Sequence, residues 1–177
     1  MINKCLKNQS GFTIVESLVS ILILTLALVP VLSVVVSATD ISNNIRNNFI
    51  AANLAQEGIE VVRSIRDRNW FADGNPPWDR FLHNCGLPDC VLIRMVQWDT
   101  DGPLLNLPNP PLKFDSVTGL YNYSTGVDTI FRRRIIIEDA NLANPDTDMR
   151  VISEVSWINK GNITRVVRAE SHLYNWK

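Results

Sequence analysis

The sequence predicts an α+β protein, in which one long N-terminal helix packs against a small C-terminal antiparallel sheet. Two observations predict this fold class. An uncharged and mostly apolar run, residues 17–39, is followed by an amphipathic run with helical periodicity, residues 41–62. Residues 129–177 are rich in Val, Ile, Thr and aromatic side chains, which favour strands. Because helix and sheet each need to bury one face, we expect the sheet to pack against the amphipathic half of the helix, with the apolar half extending beyond it.

The first element is an apolar segment long enough to cross a bilayer. Ser17 to Thr39 comprises 23 residues without a charged side chain, and a helix of that length reaches roughly 35 Å. Pro30 lies within the segment and lacks the N–H that would bond one turn earlier, so we expect a kink or local melting there. The sequence therefore predicts a single membrane-spanning half of the helix over residues 12–39.

A short basic stretch precedes this segment. Residues 1–11 carry Lys4 and Lys7 and no acid, which is typical of an N-terminus held in the cytoplasm. No A-x-A pattern follows the apolar run, so a cleaved secretory signal is not indicated. Glu16 lies at the edge of the apolar run, where an unpaired carboxylate in lipid costs on the order of 3 kcal/mol. Since no basic residue lies within reach on its own helix, Glu16 needs a partner from elsewhere.

These residues resemble the N-terminus of type IV pilins and pseudopilins. The family pattern of Gly, Phe, Thr, two aliphatic residues and Glu matches every position from Gly11 to Glu16, behind a short basic leader and ahead of an apolar helix. The resemblance implies cleavage between Gly11 and Phe12 by a prepilin peptidase, and N-methylation of Phe12. It also implies that Glu16 pairs with the new amine of a neighbouring subunit during assembly.

The same resemblance implies a location and a set of partners. The chain would be stored as a single-pass protein of the bacterial inner membrane with its C-terminal domain outside the cytoplasm. An assembly platform and its ATPase would then incorporate it, with other pilin subunits, into a periplasmic or extracellular fibre. The run from Leu54 to Glu60 resembles the corresponding region of PilV-like minor pilins and of the I-type pseudopilins of type II secretion. The indicated function is a minor pilin or pseudopilin.

Two alternatives remain open at the level of the sequence. A plain signal-anchor helix explains the apolar length and the lysines, but it leaves Glu16 and the Gly-Phe junction unexplained. A pilus-tip binding subunit, acting as adhesin or DNA-uptake receptor, would use residues 68–128 for recognition. Aromatic side chains clustered on the surface would support this second alternative, whereas buried tryptophans would favour a structural role.

The helix continues as an amphipathic segment over residues 40–67. Gly58 weakens it by roughly 1 kcal/mol relative to Ala but allows close packing. Apolar side chains recur at spacings of three and four residues, which predicts one face packed on the sheet. This predicted face contains Ile41, Ile45, Phe49, Ala52, Ala55, Ile59 and Val62.

The composition of residues 68–128 predicts loops with short extended segments. They contain seven of the nine prolines, which exclude long helices and central strands. Several tryptophans and phenylalanines supply apolar cover, so a disordered linker is not indicated. Within this region we expect a strand at residues 92–98 and a hairpin formed by residues 113–115 and 120–123.

The C-terminal region carries the clearest strand pattern. The turn sequence Asn-Lys-Gly-Asn at residues 159–162 separates the last two predicted strands. Val151, Val155 and Trp157 share one face of the middle strand, and we expect one face of the sheet to cover the helix. The predicted strands are Thr129 to Glu138, Met149 to Ile158 and Ile163 to Tyr174.

Three cysteines are present, and processing would discard Cys5 with the leader. Cys85 and Cys90 remain in the part expected outside the cytoplasm, where a disulfide persists. Such a bond would add roughly 2 to 3 kcal/mol by restricting the unfolded chain. A zinc site using His83 and His172 is the rival interpretation, but it lacks the paired spacing of zinc ligands.

The remaining charged motifs give no catalytic or cofactor site. Loss of Lys4 and Lys7 leaves 15 basic residues against 18 acidic ones, so no nucleic-acid partner is predicted. The run Arg132 to Arg134 alternates between the faces of a strand, and we interpret it as solvated strand charge rather than a DNA-binding patch.

The sequence also predicts neither a metal site nor a catalytic site. The turn at Asp99 is similar to the opening of a calcium loop, yet Pro110 occupies the position of the required bidentate Glu. An Asx-rich turn is the favoured interpretation. No set of nucleophile, base and orienting residue indicates an enzyme, and no cofactor is predicted.

Overall fold

The computed structural model describes residues 11, 13–82, 91–100, 102–104, 108–139 and 147–175. The chain forms two compact units, Met1–Ile45 and Arg46–Lys177. One α-helix, α1, spans Ile14–Phe71 and contributes residues to both units. The α+β class predicted from the sequence is confirmed, with one long helix and antiparallel sheets.

In the first unit, α1 is an apolar helix whose side chains are exposed. Its most apolar window has a mean hydropathy of 2.8 and no buried residue, so by length and composition it can span a membrane. The local melting expected at Pro30 is absent, because the helix continues through this residue. The hydroxyls of Ser20 and Ser37 donate to the carbonyls of Glu16 (2.8 Å) and Ser33 (3.0 Å), which satisfies them without water.

The second unit contains two antiparallel sheets. Their strands are β1 (Val91–Arg94), β2 (Lys113–Asp115), β3 (Leu120–Asn122), β4 (Val127–Asp128), β5 (Arg132–Asp139), β6 (Asp148–Asn159) and β7 (Ile163–Tyr174). The larger sheet has four strands in the order β1-β5-β6-β7, and the smaller has three in the order β3-β2-β4. The predicted hairpin at residues 113–123 and the three C-terminal strands are confirmed to within a few residues.

The first of these strands is shorter than the predicted 92–98. A turn ends it, because the N–H of Thr100 donates to the carbonyl of Gln97 and the Thr100 hydroxyl accepts from the N–H of Gln97, both at 2.9 Å. These bonds use backbone groups that a continuing strand would offer to its neighbour.

Alternate residues of β6 point towards α1 and are buried. The predicted face of Val151, Val155 and Trp157 is confirmed as the inner one. The core has two parts along the helix. One contains Ala51, Leu54, Ala55, Leu112, Phe131, Val155 and Trp157. The other includes Ile59, Val62, Ile65, Trp70, Ile135, Ile137, Met149, Val151 and Leu173.

Gly58 lies where α1 packs closely on the sheet. A Cβ placed there would overlap the side chain of Ser153 on β6 and come within 2.9 Å of Cδ1 of Ile135 on β5. The close packing predicted at this glycine is therefore confirmed, and it explains why a weak helix former occupies a buried helix position.

The predicted apolar face of α1 is wrong in its first half. Ile41, Ile45 and Phe49 are 59–69% exposed, and the buried face begins at Ala51. The reason is that Trp157, near the end of β6, already packs in the cluster of Ala51, so the core extends no further along the helix. Periodicity identified a continuous stripe but not where the sheet stops covering it.

The helix also ends later than the predicted Asp67. Asn69 and Trp70 are buried in its last turn. The side-chain amide of Asn69 donates to the carbonyls of Trp78 (3.0 Å) and Arg80 (2.8 Å), which ties the following loop back onto the helix end. This loop gives the last turn a core to pack against, so α1 continues to Phe71.

Candidate functional site

The N-terminal motif lies at the start of α1. Gly11 is exposed and precedes the helix, which begins at Ile14. Thr13 caps the helix, since its Oγ1 accepts a hydrogen bond from the N–H of Glu16 at 3.3 Å. Thr13 and Glu16 have the Thr-x-x-Glu spacing of a capping box. Gly11 therefore lies outside the helix, and Phe12 lies outside the described residues.

The Glu16 side chain is exposed in the first turn of α1. A negative charge is favourable there because the N-terminal end of a helix carries partial positive charge. Within the described part of the chain, its carboxylate has no hydrogen-bond or ion-pair partner. Ser20, one turn later, donates its hydroxyl to the Glu16 carbonyl rather than to the carboxylate. The geometry thus presents a carboxylate on an apolar helix surface, available to another molecule.

This arrangement coincides with a known sequence motif. Residues 6–32 match the family model described as the prokaryotic N-terminal methylation motif. The chain carries the N-terminal motif of the type IV pilin and pseudopilin family. For this pilin-like chain the motif implies processing by prepilin peptidase and assembly with other pilins, and the apolar helix indicates membrane anchoring. Pilins are structural rather than catalytic proteins. No curated protein and no solved structure matches the chain.

The second unit of the pilin-like chain contains a buried guanidinium. Arg133 on β5 is 0% exposed. Its Nη1 donates to the carbonyl of Leu54 at 2.9 Å and to Glu57 Oε1 at 3.0 Å, both on α1. Its Nη2 donates to the carbonyl of Val96 at 2.6 Å, just after β1. One side chain thus joins the helix, the sheet and the segment that follows β1.

The interpretation of Arg132 to Arg134 as solvated charge is wrong for Arg133. The predicted alternation is confirmed, because Arg132 is exposed and Arg133 points inward. Arg133 has the same strand phase as buried Ile135 and Ile137, and this phase was the signal that could have identified it as an inward residue. The three arginines therefore form no continuous basic patch.

The outer face of the four-stranded sheet carries paired charges. Glu154 lies between Arg134 and Arg168, at 2.7 and 2.6 Å. Burial acts to raise the Glu154 pKa, but the hydrogen bonds from the two guanidinium groups outweigh it and hold the pKa below its usual value. These arginines are already bound to a carboxylate, so they offer little to a phosphate backbone.

Arg150 forms a second set of pairs on the same face. It bridges Glu170 and Glu138 at 2.8 and 3.1 Å. The hydrogen bond from Arg150 lowers the pKa of Glu170. His172 lies beside this group, with Nδ1 3.3 Å from Asp148 Oδ1.

The remaining predicted sites are only partly described. Cys85, Cys90 and His83 lie outside the described residues, so the disulfide and the zinc alternative stay predictions. Asp99 accepts a hydrogen bond from Gln97 Nε2 at 2.6 Å within a turn. In the described ranges, no group of three or more His, Cys, Asp or Glu side chains could hold a metal ion.

The aromatic side chains divide between core and surface. Trp70, Trp78 and Trp157 are buried, and the rings of Trp70 and Trp78 stack at 6.5 Å. Trp98 is 50% exposed and Phe71 is 82% exposed. Most of the described tryptophans therefore belong to the core, which favours a structural role over a recognition surface.

Proposed function

We propose that this chain is a minor pilin or pseudopilin, cleaved between Gly11 and Phe12, methylated on Phe12 and incorporated into a type IV pilus-like fibre. The observation that carries the proposal is the motif match over residues 6–32. The geometry supports it, because Gly11 is exposed and precedes the first helical residue, Ile14. Gly11 therefore lies outside the helix, where a peptidase could reach it.

The mechanism follows from the apolar helix and Glu16. The exposed apolar side chains of α1 need a non-aqueous environment, either lipid during storage or neighbouring helices in a fibre. Cleavage creates a positive amine at Phe12. In a fibre, the Glu16 carboxylate of one subunit pairs with the amine of its neighbour, which places both charges in low dielectric with a partner. Other pilin subunits, the assembly platform and its ATPase would be the partners of this step.

Within the family we favour a PilV-like minor pilin or an I-type pseudopilin of type II secretion. The buried tryptophans support a structural subunit. The second candidate is a pilus-tip binding subunit, favoured by the exposed ring of Trp98 at the turn after β1. The test is the variant Trp98→Ala. If it loses binding to a surface or to DNA while its incorporation into fibres is unchanged, this second candidate is favoured.

The processing step is directly testable. When the chain is co-expressed with a prepilin peptidase, we expect loss of its first eleven residues and a methylated Phe12 at the new N-terminus, as measured by intact mass and N-terminal sequencing. Gly11→Trp should block cleavage by crowding the scissile bond, while the matched control Gly11→Ala should still be cleaved. A mature N-terminus after Ala38 would instead make this a secreted protein and exclude the proposal.

A further inference from the structure

A groove lies on the second unit at the end of the β6–β7 pair. It is lined by Pro111, Ile130, Arg132, Trp157, Ile158 and Thr164. Its apolar walls are open to solvent, since Ile130 is 50% and Ile158 60% exposed. The Arg132 guanidinium donates to the carbonyl of Asn109. It has no carboxylate partner among the residues that the structure describes. The groove therefore fits an apolar side chain that is followed closely by an acid.

The chain presents such a pair at the end of α1. Phe71 is the last residue of the helix and is 82% exposed. Asp73, two residues later, is also exposed, and its carboxylate makes no hydrogen bond or ion pair within the described ranges. Gly74 and Asn75 follow with φ values of +87° and +48°, so the chain turns sharply after Asp73. The turn leaves the Phe71 ring and the Asp73 carboxylate projecting from this end of the unit.

These two features lie at opposite ends of the same sheet. Asn75 and Trp70 line a depression together with Asn175, which follows β7, and the N–H of Asn175 donates to the carbonyl of Thr147 before β6 begins. The groove instead includes Ile158, at the other end of β6. Ten strand residues separate these ends, which corresponds to about 33 Å. Phe71 and the groove cannot meet within one copy, but they can meet between two copies.

We propose that the end of α1 of one subunit docks into this groove of a second copy, so that the second units stack head to tail. The Phe71 ring would pack against Ile130 and Ile158, and the Asp73 carboxylate would pair with Arg132. The charge and the apolar character of the two surfaces are complementary. Because the two surfaces differ, the contact is heterologous, and a heterologous contact that does not close into a ring generates an open filament. This inference rests on the proposed function as a fibre subunit.

Photo-crosslinking in assembled fibres tests the contact. Phe71 is replaced by the photoreactive analogue p-benzoylphenylalanine in the full chain, and sheared fibres are irradiated. We expect a covalent dimer of this chain, with the crosslink mapped by mass spectrometry to the peptides that contain Ile130 or Ile158. The same analogue at Val117, which is 92% exposed on the β2–β3 turn, is the control and should give no crosslink into the groove.

Charge reversal tests the ion pair with an internal rescue. Arg132→Glu and Asp73→Arg should each reduce the dimer yield by about tenfold or more, because like charges then face each other. The combination of both changes should restore it. Arg165→Glu is the matched control, since Arg165 lies on the opposite face of the same sheet and this change should leave the yield unaltered.

The outcomes separate this inference from the proposed function. Cleaved chain in sheared fibres without a dimer crosslink, or with Phe71 crosslinked to a different protein or to lipid, overturns the docking and leaves the proposed function standing. Failure of the double variant to restore the dimer overturns the ion pair. Absence of cleaved chain from fibres overturns the proposed function and the docking together.

Discussion

Arg133 and Arg132 are adjacent arginines with opposite environments. Arg133 is enclosed between α1 and β5, where two backbone carbonyls and Glu57 accept its hydrogen bonds. Arg132 is exposed and bonds to a loop carbonyl. Burial of a guanidinium is tolerated only when such partners are in place. The contacts of Arg133 therefore fix how α1 and β5 are aligned, because a shift of either element would leave a buried charge without acceptors.

We expect Arg133→Met to destabilise the chain by about 3 kcal/mol, since it leaves the carbonyl of Val96 and the carboxylate of Glu57 without their donor. Arg132→Met is the matched control and should change the free energy of unfolding by less than about 0.5 kcal/mol. Urea unfolding of the full chain in detergent, followed by tryptophan fluorescence, measures both. Equal losses in the two variants would contradict this role for Arg133.

Among the secondary-structure elements, β5, β6 and β7 are joined on their outer face by ion pairs as well as by backbone bonds. Glu154 of β6 accepts from Arg134 of β5 and from Arg168 of β7. It is 5% exposed although it points away from the helix. This enclosure makes the strands sensitive to protonation of one carboxylate.

The folded-state pKa of Glu154 is lowered, so this carboxylate contributes stability above its unfolded pKa of about 4.3. The contribution is lost as pH falls through the folded pKa, because the unfolded chain then binds the proton more readily. We expect the free energy of unfolding to decrease as the pH is lowered beyond about 4.3. Glu154→Gln should be less stable at neutral pH and should show a shallower loss on acidification. Parallel curves for the two proteins would show that Glu154 does not contribute to the slope.

The segment from Cys85 to Cys90, which lies outside the described residues, carries a separate prediction. We expect the two thiols to be joined in protein taken from an oxidising compartment, because an even pair outside the cytoplasm favours a disulfide. Intact mass with and without reduction, followed by alkylation, measures this directly. Cys85→Ser should leave one alkylatable thiol at Cys90. Two free thiols in the native, unreduced protein, or bound zinc, would refute the pairing.

The sequence predicted the elements better than their limits. The C-terminal strands and the 113–123 hairpin followed from local alternation and turn residues, which act over a few positions. The end of β1 depends on the hydroxyl of Thr100, and the exposure of Ile41 and Ile45 depends on where a distant sheet stops. Such limits are set by tertiary contacts, so periodicity alone could not give them.

The sites also divide into those that local sequence predicts and those that depend on tertiary contacts. The N-terminal motif is contiguous and could be identified residue by residue. The buried role of Arg133 joins residues 54, 96 and 133, which are far apart in sequence. The groove and the Phe71 projection likewise depend on which side chains the fold leaves uncovered. Only the topology brings these residues together.

For the whole molecule, we expect assembly to depend on Glu16. Glu16→Val should leave membrane insertion and cleavage intact, since it removes a charge from an apolar helix. It should sharply reduce incorporation into fibres, because the amine of the neighbouring subunit is left buried without a partner, at a cost of about 3 to 5 kcal/mol. The measurement is the ratio of cleaved chain in sheared fibres to cleaved chain in membranes. Glu60→Val, on an exposed helix position outside the apolar run, is the control.

Normal incorporation of Glu16→Val would show that Glu16 is not the docking charge. Reduced cleavage of the variant would instead assign Glu16 to recognition by the peptidase. The proposed contact between second units involves Phe71 and Arg132 and no residue of the apolar run 17–39, so it would be formed by a different part of the chain.

The proposed cleavage site lies just before α1, so cleavage would change the charge at this end of the helix. The N-terminal end of a helix carries roughly half a positive elementary charge, and Glu16 in the first turn of the precursor reverses it to about half a negative one. The proposed cleavage adds one positive charge at Phe12, two residues before the helix begins. The mature end then carries an excess of about half a positive charge. In the precursor the basic charges lie on Lys4 and Lys7 of the leader, whereas the proposed processing would place the positive charge directly at the helix end, where it could reach the Glu16 of another subunit.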